Sequence, residues 1–173
     1  GSDALEGDTD EEPEHVVTVS AFCIDLTEVT NAQYGACMDA GGCVEPRNGP
    51  FSNRRADYFY SADYADYPVV NLSQLQAQAY CAWAGKRLPT EAEWEKASRG
   101  VDGREFPWGD EPATCARAAL KGCPPDTTRP VGSFAPGAWG LLDMAGNAYE
   151  FVQDWYTPCY RGCEGECGAD CDG

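Results

Sequence analysis

Leu142-Asp143-Met144-Ala145-Gly146-Asn147-Ala148-Tyr149-Glu150-Phe151-Val152-Gln153-Asp154-Trp155 sets two carboxylates, Asp143 and Glu150, on either side of a Gly-Asn turn, and a short aromatic run follows. A turn through Ala145, Gly146 and Asn147 keeps some of its carbonyls out of any ladder and open to a cation. A hard ion such as calcium takes roughly six to eight oxygens from carboxylates, carbonyls and water. Asp143 and Glu150 then offer side-chain oxygens, while Gly146 and Ala148 offer carbonyls. The spacing also suits a hairpin turn whose Asp caps its own backbone, with Tyr149 and Phe151 on one face of a strand. One reading builds a sheet; the other gathers loops around an ion.

Working outward, the whole chain of 173 residues has the size of one domain, enough to bury a core. Its 19 Gly and 12 Pro argue for many turns and modest regular structure. With 29 acidic against 12 basic residues the formal charge is −17, which sets nucleic acid and anionic membrane surfaces aside as partners. The same acidity suits a protein that collects divalent cations. No apolar run is long enough to span a membrane. Ten cysteines, an even number, suit disulfides and an oxidising, extracytoplasmic compartment. The chain begins Gly1-Ser2-Asp3 with no signal peptide, as expected of a processed or excised piece.

Residues 1–14 form an acidic arm, from Asp3 to Glu14 without a basic partner. A strand is expected over His15–Asp25, rich in β-branched and aromatic residues. His15 is the only histidine, so chemistry needing two is ruled out, and its place at a strand start suits a surface position. Thr30 with Gln33 is a capping box opening a helix, and Cys37 with Cys43 closes the Gly41-Gly42 exit. Residues 46–68 read as a long surface loop whose tyrosines either line a recognition surface or pack over the core. Pro68–Leu72 reads as a short buried strand. Ser73 caps a helix running to Gly85, with Leu75, Ala79, Ala82 and Trp83 at helical spacing. Thr90 with Glu93 is a further capping box, and capping with a solvated face accounts for Glu91, Glu93 and Glu95 without catalysis.

Four blocks in order, IDLTEVTNAQY (24–34), AYCAWAGKRLPTEAEWEKASRG (79–100), FPWGDEP (106–112) and PVGSFAPGAWGLLDMAGNAYEFVQDWY (130–156), resemble the sulfatase-modifying-factor family. This is the family of the formylglycine-generating enzyme, which also includes ergothioneine-type sulfoxide synthases and PvdO-like proteins. The resemblance implies an α+β, C-type-lectin-like domain over 15–158 with little regular structure, stabilised by disulfides and calcium. It further implies that Asp143, Gly146, Ala148 and Glu150 form a calcium site, and that Cys81 is a structural cysteine whose partner lies in the family's C-terminal segment. Cys81 is thus unpaired, paired with Cys23, or dependent on residues beyond these.

The departures from that pattern are as informative. A second calcium site of the family uses an Asn in a block similar to CARAALKGC (115–123), where this chain has Ala119, with an acid near Asp126. That site is expected to be absent or degraded, with Cys115 and Cys123 stapling the segment instead. The family's catalytic cysteine pair, which binds copper(I) and activates oxygen, lies in an RGGSW-like block that these residues do not contain. Copper is therefore expected only with that block restored. The tail, 159–173, repeats Cys159, Cys163, Cys167 and Cys171 at four-residue spacing, which suits disulfides, a metal cluster or reactive thiols. The expectation is a calcium-stabilised extracytoplasmic module, catalytically inert as it stands, that holds a peptide, protein or glycan. The alternative is the N-terminal part of a copper oxidase converting a sulfatase cysteine to formylglycine. A sulfoxide synthase would need a separate His-rich iron domain.

Overall fold

Three short helices, each opened by the same local device, carry the regular structure of the computed structural model, which describes residues 16–46, 55, 57–125 and 127–155. The acidic arm, His15, Asp126 and the four tail cysteines lie outside the described residues. Cys23–Gln153 form one compact unit; the described residues outside it, 16–22 and 154–155, carry no regular element.

Helix α1 (Asn31–Asp39), α2 (Gln74–Trp83) and α3 (Glu91–Arg99) start at Thr30, Ser73 and Thr90. In each, the cap hydroxyl accepts the N3 amide, and the N3 Gln or Glu side chain accepts the cap's own N–H. A single 3₁₀ turn covers Ala62–Tyr64. No strand forms among the described residues: 16–25 is coil without a ladder, and Pro68–Leu72 contributes only an isolated bridge from Pro68 to Thr30. β-Branched composition marks what fits a pleated surface, but a strand also needs a neighbour to pair with.

The core gathers around α1 and α2. Tyr34 stacks on Tyr80 with ring centroids 5.8 Å apart and meets the edge of Phe59 at 6.0 Å. The Cys37–Cys43 disulfide lies buried beside them. Of the tyrosine-rich 46–68 stretch, Tyr58 and Phe59 are buried, so packing prevails over display there. Arg55 lies over the Tyr64 and Tyr67 rings at 5.0 and 4.7 Å. The apolar stripe expected to bury α2 faces outward instead: Leu75 is 64% exposed, Ala79, Ala82 and Trp83 are also exposed, and Gln76 and Tyr80 point inward. The reason is that Gln76 caps Ser73 and donates to the Glu45 carbonyl at 2.6 Å, which turns the opposite face to the surface.

Helix α3 shows that a cap can also be a buried ion. Glu93 accepts the Thr90 amide at 2.9 Å and both guanidinium nitrogens of Arg87 at 2.6 Å. It is 7% exposed, and Arg87 holds its carboxyl down at about 2 from 4.5. A carboxyl whose pKa is lowered on folding adds stability above pH 4.5 and loses it as the pH falls through about 2. Thr90→Ala is expected to cost about 1 kcal/mol and lower the melting temperature by about 3 °C. Arg87→Met, which leaves Glu93 unpaired, is expected to cost more. Thermal denaturation at pH 7 and pH 2 checks both, and the Arg87→Met deficit shrinks at the lower pH.

Candidate functional site: three acids around the Gly146–Asn147 turn

The backbone places two distant segments side by side. Leu142 donates to the Leu26 carbonyl at 2.9 Å, and Val69 donates to Val29 at 2.8 Å, fixing residues 26–30 just ahead of α1. Glu28 is thereby set beside the 143–150 turn. Asp143, Gly146 and Asn147 have φ of 57°, 80° and 61°. Asp, Gly and Asn are the residues that enter this left-handed region at least cost. No strand covers 141–151, so the hairpin alternative does not hold, and Tyr149 and Phe151 are exposed instead of forming a buried sheet face. Nor does Asp143 cap its own turn: its Oδ2 accepts the N–H of Gly132.

Asn147 pins the turn. Its amide donates to the Ala119 carbonyl at 2.9 Å, and its side-chain oxygen accepts the Arg129 N–H at 2.7 Å. Its side-chain nitrogen donates to Glu28 Oε2 at 3.0 Å and to the Arg129 carbonyl at 3.3 Å. Gly146 rests against Ala119 so closely that a Cβ there would lie 2.6 Å from the Ala119 oxygen. Any side chain at 146 would push the turn off its support.

Three carboxyls come close enough here to influence one another, and among the described residues no Lys or Arg is bonded to them. Burial raises Glu28 from 4.5 to about 8, partly opposed by the Asn147 bond and reinforced by the charges of Asp143 and Glu150. Burial raises Asp143 as well, against the Gly132 N–H. Crowding of the carboxyl by surrounding protein raises Glu150, against the indole N–H that Trp94 of α3 donates to Oε2. Two oxygens, Glu28 Oε1 and Asp143 Oδ1, are buried with no hydrogen-bond partner. A buried acceptor without a donor carries its full desolvation cost, and a bound ion is one way to meet it.

The expected ligands thus come together in part. Asp143 directs a buried, unpartnered oxygen at this site, Glu150 keeps one oxygen beyond the Trp94 bond, and Gly146 and Ala148 lie on the same non-ladder coil. Among the described residues no three acid, His or Cys side chains are arranged to hold a metal. Side chains alone do not make a cage, and a hard cation here would draw on carbonyls and water as well, as calcium does. Glu28 was not singled out from the sequence. Its only signal is an acid set among Thr27, Val29 and Thr30, directly ahead of a helix cap.

The described cysteines divide into two bridges and two thiols. Cys115–Cys123 and Cys37–Cys43 are disulfides, while Cys23 and Cys81 are free and not bonded to each other. Burial and the nearby Asp25 charge push the Cys81 thiol up, away from the thiolate that copper(I) binds.

Metal-free protein is expected to lose stability as the pH rises from 4.5 to about 8, because the folded state holds the Glu28 proton that the unfolded chain releases. Glu28→Gln keeps the Asn147 bond and removes that slope. In chelator at pH 8 it is expected to melt on the order of 5 °C above the parent, with the two converging near pH 4.5.

Residues 1–169 match the family described as Sulfatase-modifying factor enzyme 1-like domain. The chain is 37% identical over 163 residues to the serine/threonine-protein kinase pkn1 of Chlamydia pneumoniae, covering 88% of this chain and 26% of that protein. It is 34% identical to the formylglycine-generating enzyme of Streptomyces coelicolor, covering 87% of this chain and 63% of the enzyme. It therefore spans about a quarter of the first and under two thirds of the second. Among solved structures, PvdO from Pseudomonas aeruginosa is 29% identical with a TM-score of 0.74, over 94% of this chain and 68% of that one. The structure of CarF is 26% identical with a TM-score of 0.60, over 76% of this chain and 68% of that one. The chain belongs to the sulfatase-modifying-factor family.

Proposed function

We propose that residues 1–173 are a calcium-organised frame of C-type-lectin-like type that works as an extracytoplasmic binding or scaffold module for a peptide, protein or glycan. The observation that carries the reading is the buried, unpartnered Asp143 oxygen on a coil that Asn147 holds in place, beside two further acids. Calcium would supply charge neutralisation there and no reaction of its own. Asp143 and Glu150 would be its side-chain ligands, with the carbonyls of Gly146 and Ala148 completing the protein's share. The two disulfides and the net charge of −17 support the extracytoplasmic setting.

On this reading these residues do not generate formylglycine, since the copper-binding cysteine pair implied by the family is not among them. No helix among the described residues is long and apolar enough to cross a membrane. The second reading, the N-terminal portion of a copper-dependent oxidase, is favoured by the 34% identity to the Streptomyces coelicolor formylglycine-generating enzyme.

Isothermal calorimetry on chelator-treated protein is expected to show uptake of one calcium per chain, with a rise in melting temperature. Asp143→Ala combined with Glu150→Ala is expected to abolish both, and no heat of binding in the parent would remove the reading. Incubation with copper(I), oxygen and a sulfatase-motif peptide is expected to leave the peptide cysteine unchanged by mass spectrometry. Formylglycine in that assay would favour the oxidase.

A further inference from the structure

We propose that the Cys115–Cys123 disulfide is a redox latch on the 143–150 cation site: the closed bridge holds the loop on which the turn rests, and its reduction weakens calcium binding. This rests on the calcium reading above and concerns its regulation.

The geometry runs through Ala119. The bridge joins residues 8 apart and closes a loop with Ala119 near its middle. Ala119 accepts the Asn147 amide at 2.9 Å, and its backbone presses against Gly146, where a Cβ would meet its oxygen at 2.6 Å. Gly146 and Asn147 therefore rest on the loop; Gly146 is one of the two carbonyl donors proposed for the ion, and Asn147 joins it to the other, Ala148. The loop's exit is tied to the same residue. Arg129 donates to the Pro124 carbonyl at 2.6 Å, and its own main-chain N–H and C=O are both held by the Asn147 side chain.

Cys115 is exposed and Cys123 is buried, so a reductant meets the Cys115 sulfur first. A thiolate of a dithiol attacks Cys115 Sγ, and Cys123 leaves as a thiolate that takes up a proton. The second thiol of the reagent then displaces Cys115 and closes the reagent's own disulfide. Two electrons pass from the dithiol to the protein. The open loop has more freedom, and calcium then has to order it again on binding. Coupling of this kind is reciprocal: whatever bridge opening costs calcium affinity, calcium returns as resistance of the bridge to reduction.

Two measurements on the full chain test it. Cys115→Ser with Cys123→Ser, the other cysteines left oxidised, is expected to bind calcium about tenfold more weakly by calorimetry. In the parent, thiol trapping and peptide mass spectrometry in dithiothreitol redox buffers read each bridge with and without calcium. Calcium is expected to shift the Cys115–Cys123 equilibrium about tenfold toward the disulfide and to leave Cys37–Cys43 unmoved. The second measurement needs no variant, so it decides the matter even if the double variant does not fold. Calcium uptake in which the bridge equilibrium ignores the ion, or a double variant within about twofold of the parent affinity, overturns the latch alone. No uptake by the oxidised parent overturns the calcium reading and the latch with it.

Discussion

A buried peptide group must find a hydrogen-bond partner, and this chain meets that requirement largely without a sheet. Side chains do what a ladder would otherwise do. Asn147 serves Glu28 and Arg129 with its side chain and Ala119 with its amide. Asn31, at the start of α1, donates to the carbonyls of Tyr58 and Tyr64. Gln76 reaches Glu45, Gln74 reaches Val152, and the hydroxyls of Tyr34 and Tyr58 reach Val44 and Pro68. These bonds join residues from 10 to 119 positions apart. The fold is therefore specified by a small number of amide and hydroxyl side chains, and a substitution at one of them releases a loop instead of fraying an edge.

The same constraint explains why the acids at the 143–150 turn stand out. Some acids have a basic partner: Glu93 with Arg87, Asp25 with Lys86, Asp102 with Arg104. Among the described residues no Lys or Arg is bonded to Glu28, Asp143 or Glu150; burial pushes the first two toward the protonated form, and crowding of the carboxyl by surrounding protein does the same to Glu150. The three helix caps satisfy their local rules, whereas at the turn two buried carboxyl oxygens, Glu28 Oε1 and Asp143 Oδ1, have no hydrogen-bond partner. Conflict between local preference and packing of this kind marks a candidate functional site.

The two disulfides divide the work by position. Cys37–Cys43 closes the end of α1 inside the aromatic cluster. Cys115–Cys123 ties down a segment without regular structure. Each closes a short loop, a contribution on the order of 2–3 kcal/mol in the chain-entropy account. At the second bridge that constraint falls on Ala119, and through it on the turn.

Whatever depended on neighbours a few residues apart was legible in the sequence. The three capping boxes at Thr30, Ser73 and Thr90 are written in residues three apart, and the two bridges join cysteines separated by 6 and 8. The two acids of the 143–150 stretch were also visible as a local pattern, though not what they hold. What the sequence misjudged required knowing which segments meet. The 15–25 and 68–72 runs have strand composition, but no partner pairs with their described residues beyond the Pro68 bridge. The α2 stripe has helical spacing, but Gln76 and Tyr80 won the interior through bonds and ring contacts to distant residues. Glu28 lies more than a hundred positions from Asp143, and tertiary contacts such as Leu26–Leu142 and Asn147–Glu28 bring its carboxyl to the turn. Local hydrogen bonding fixes elements because both partners are close along the chain. Which acid lacks a counter-charge is a property of the packed interior, where distance in space alone sets the field.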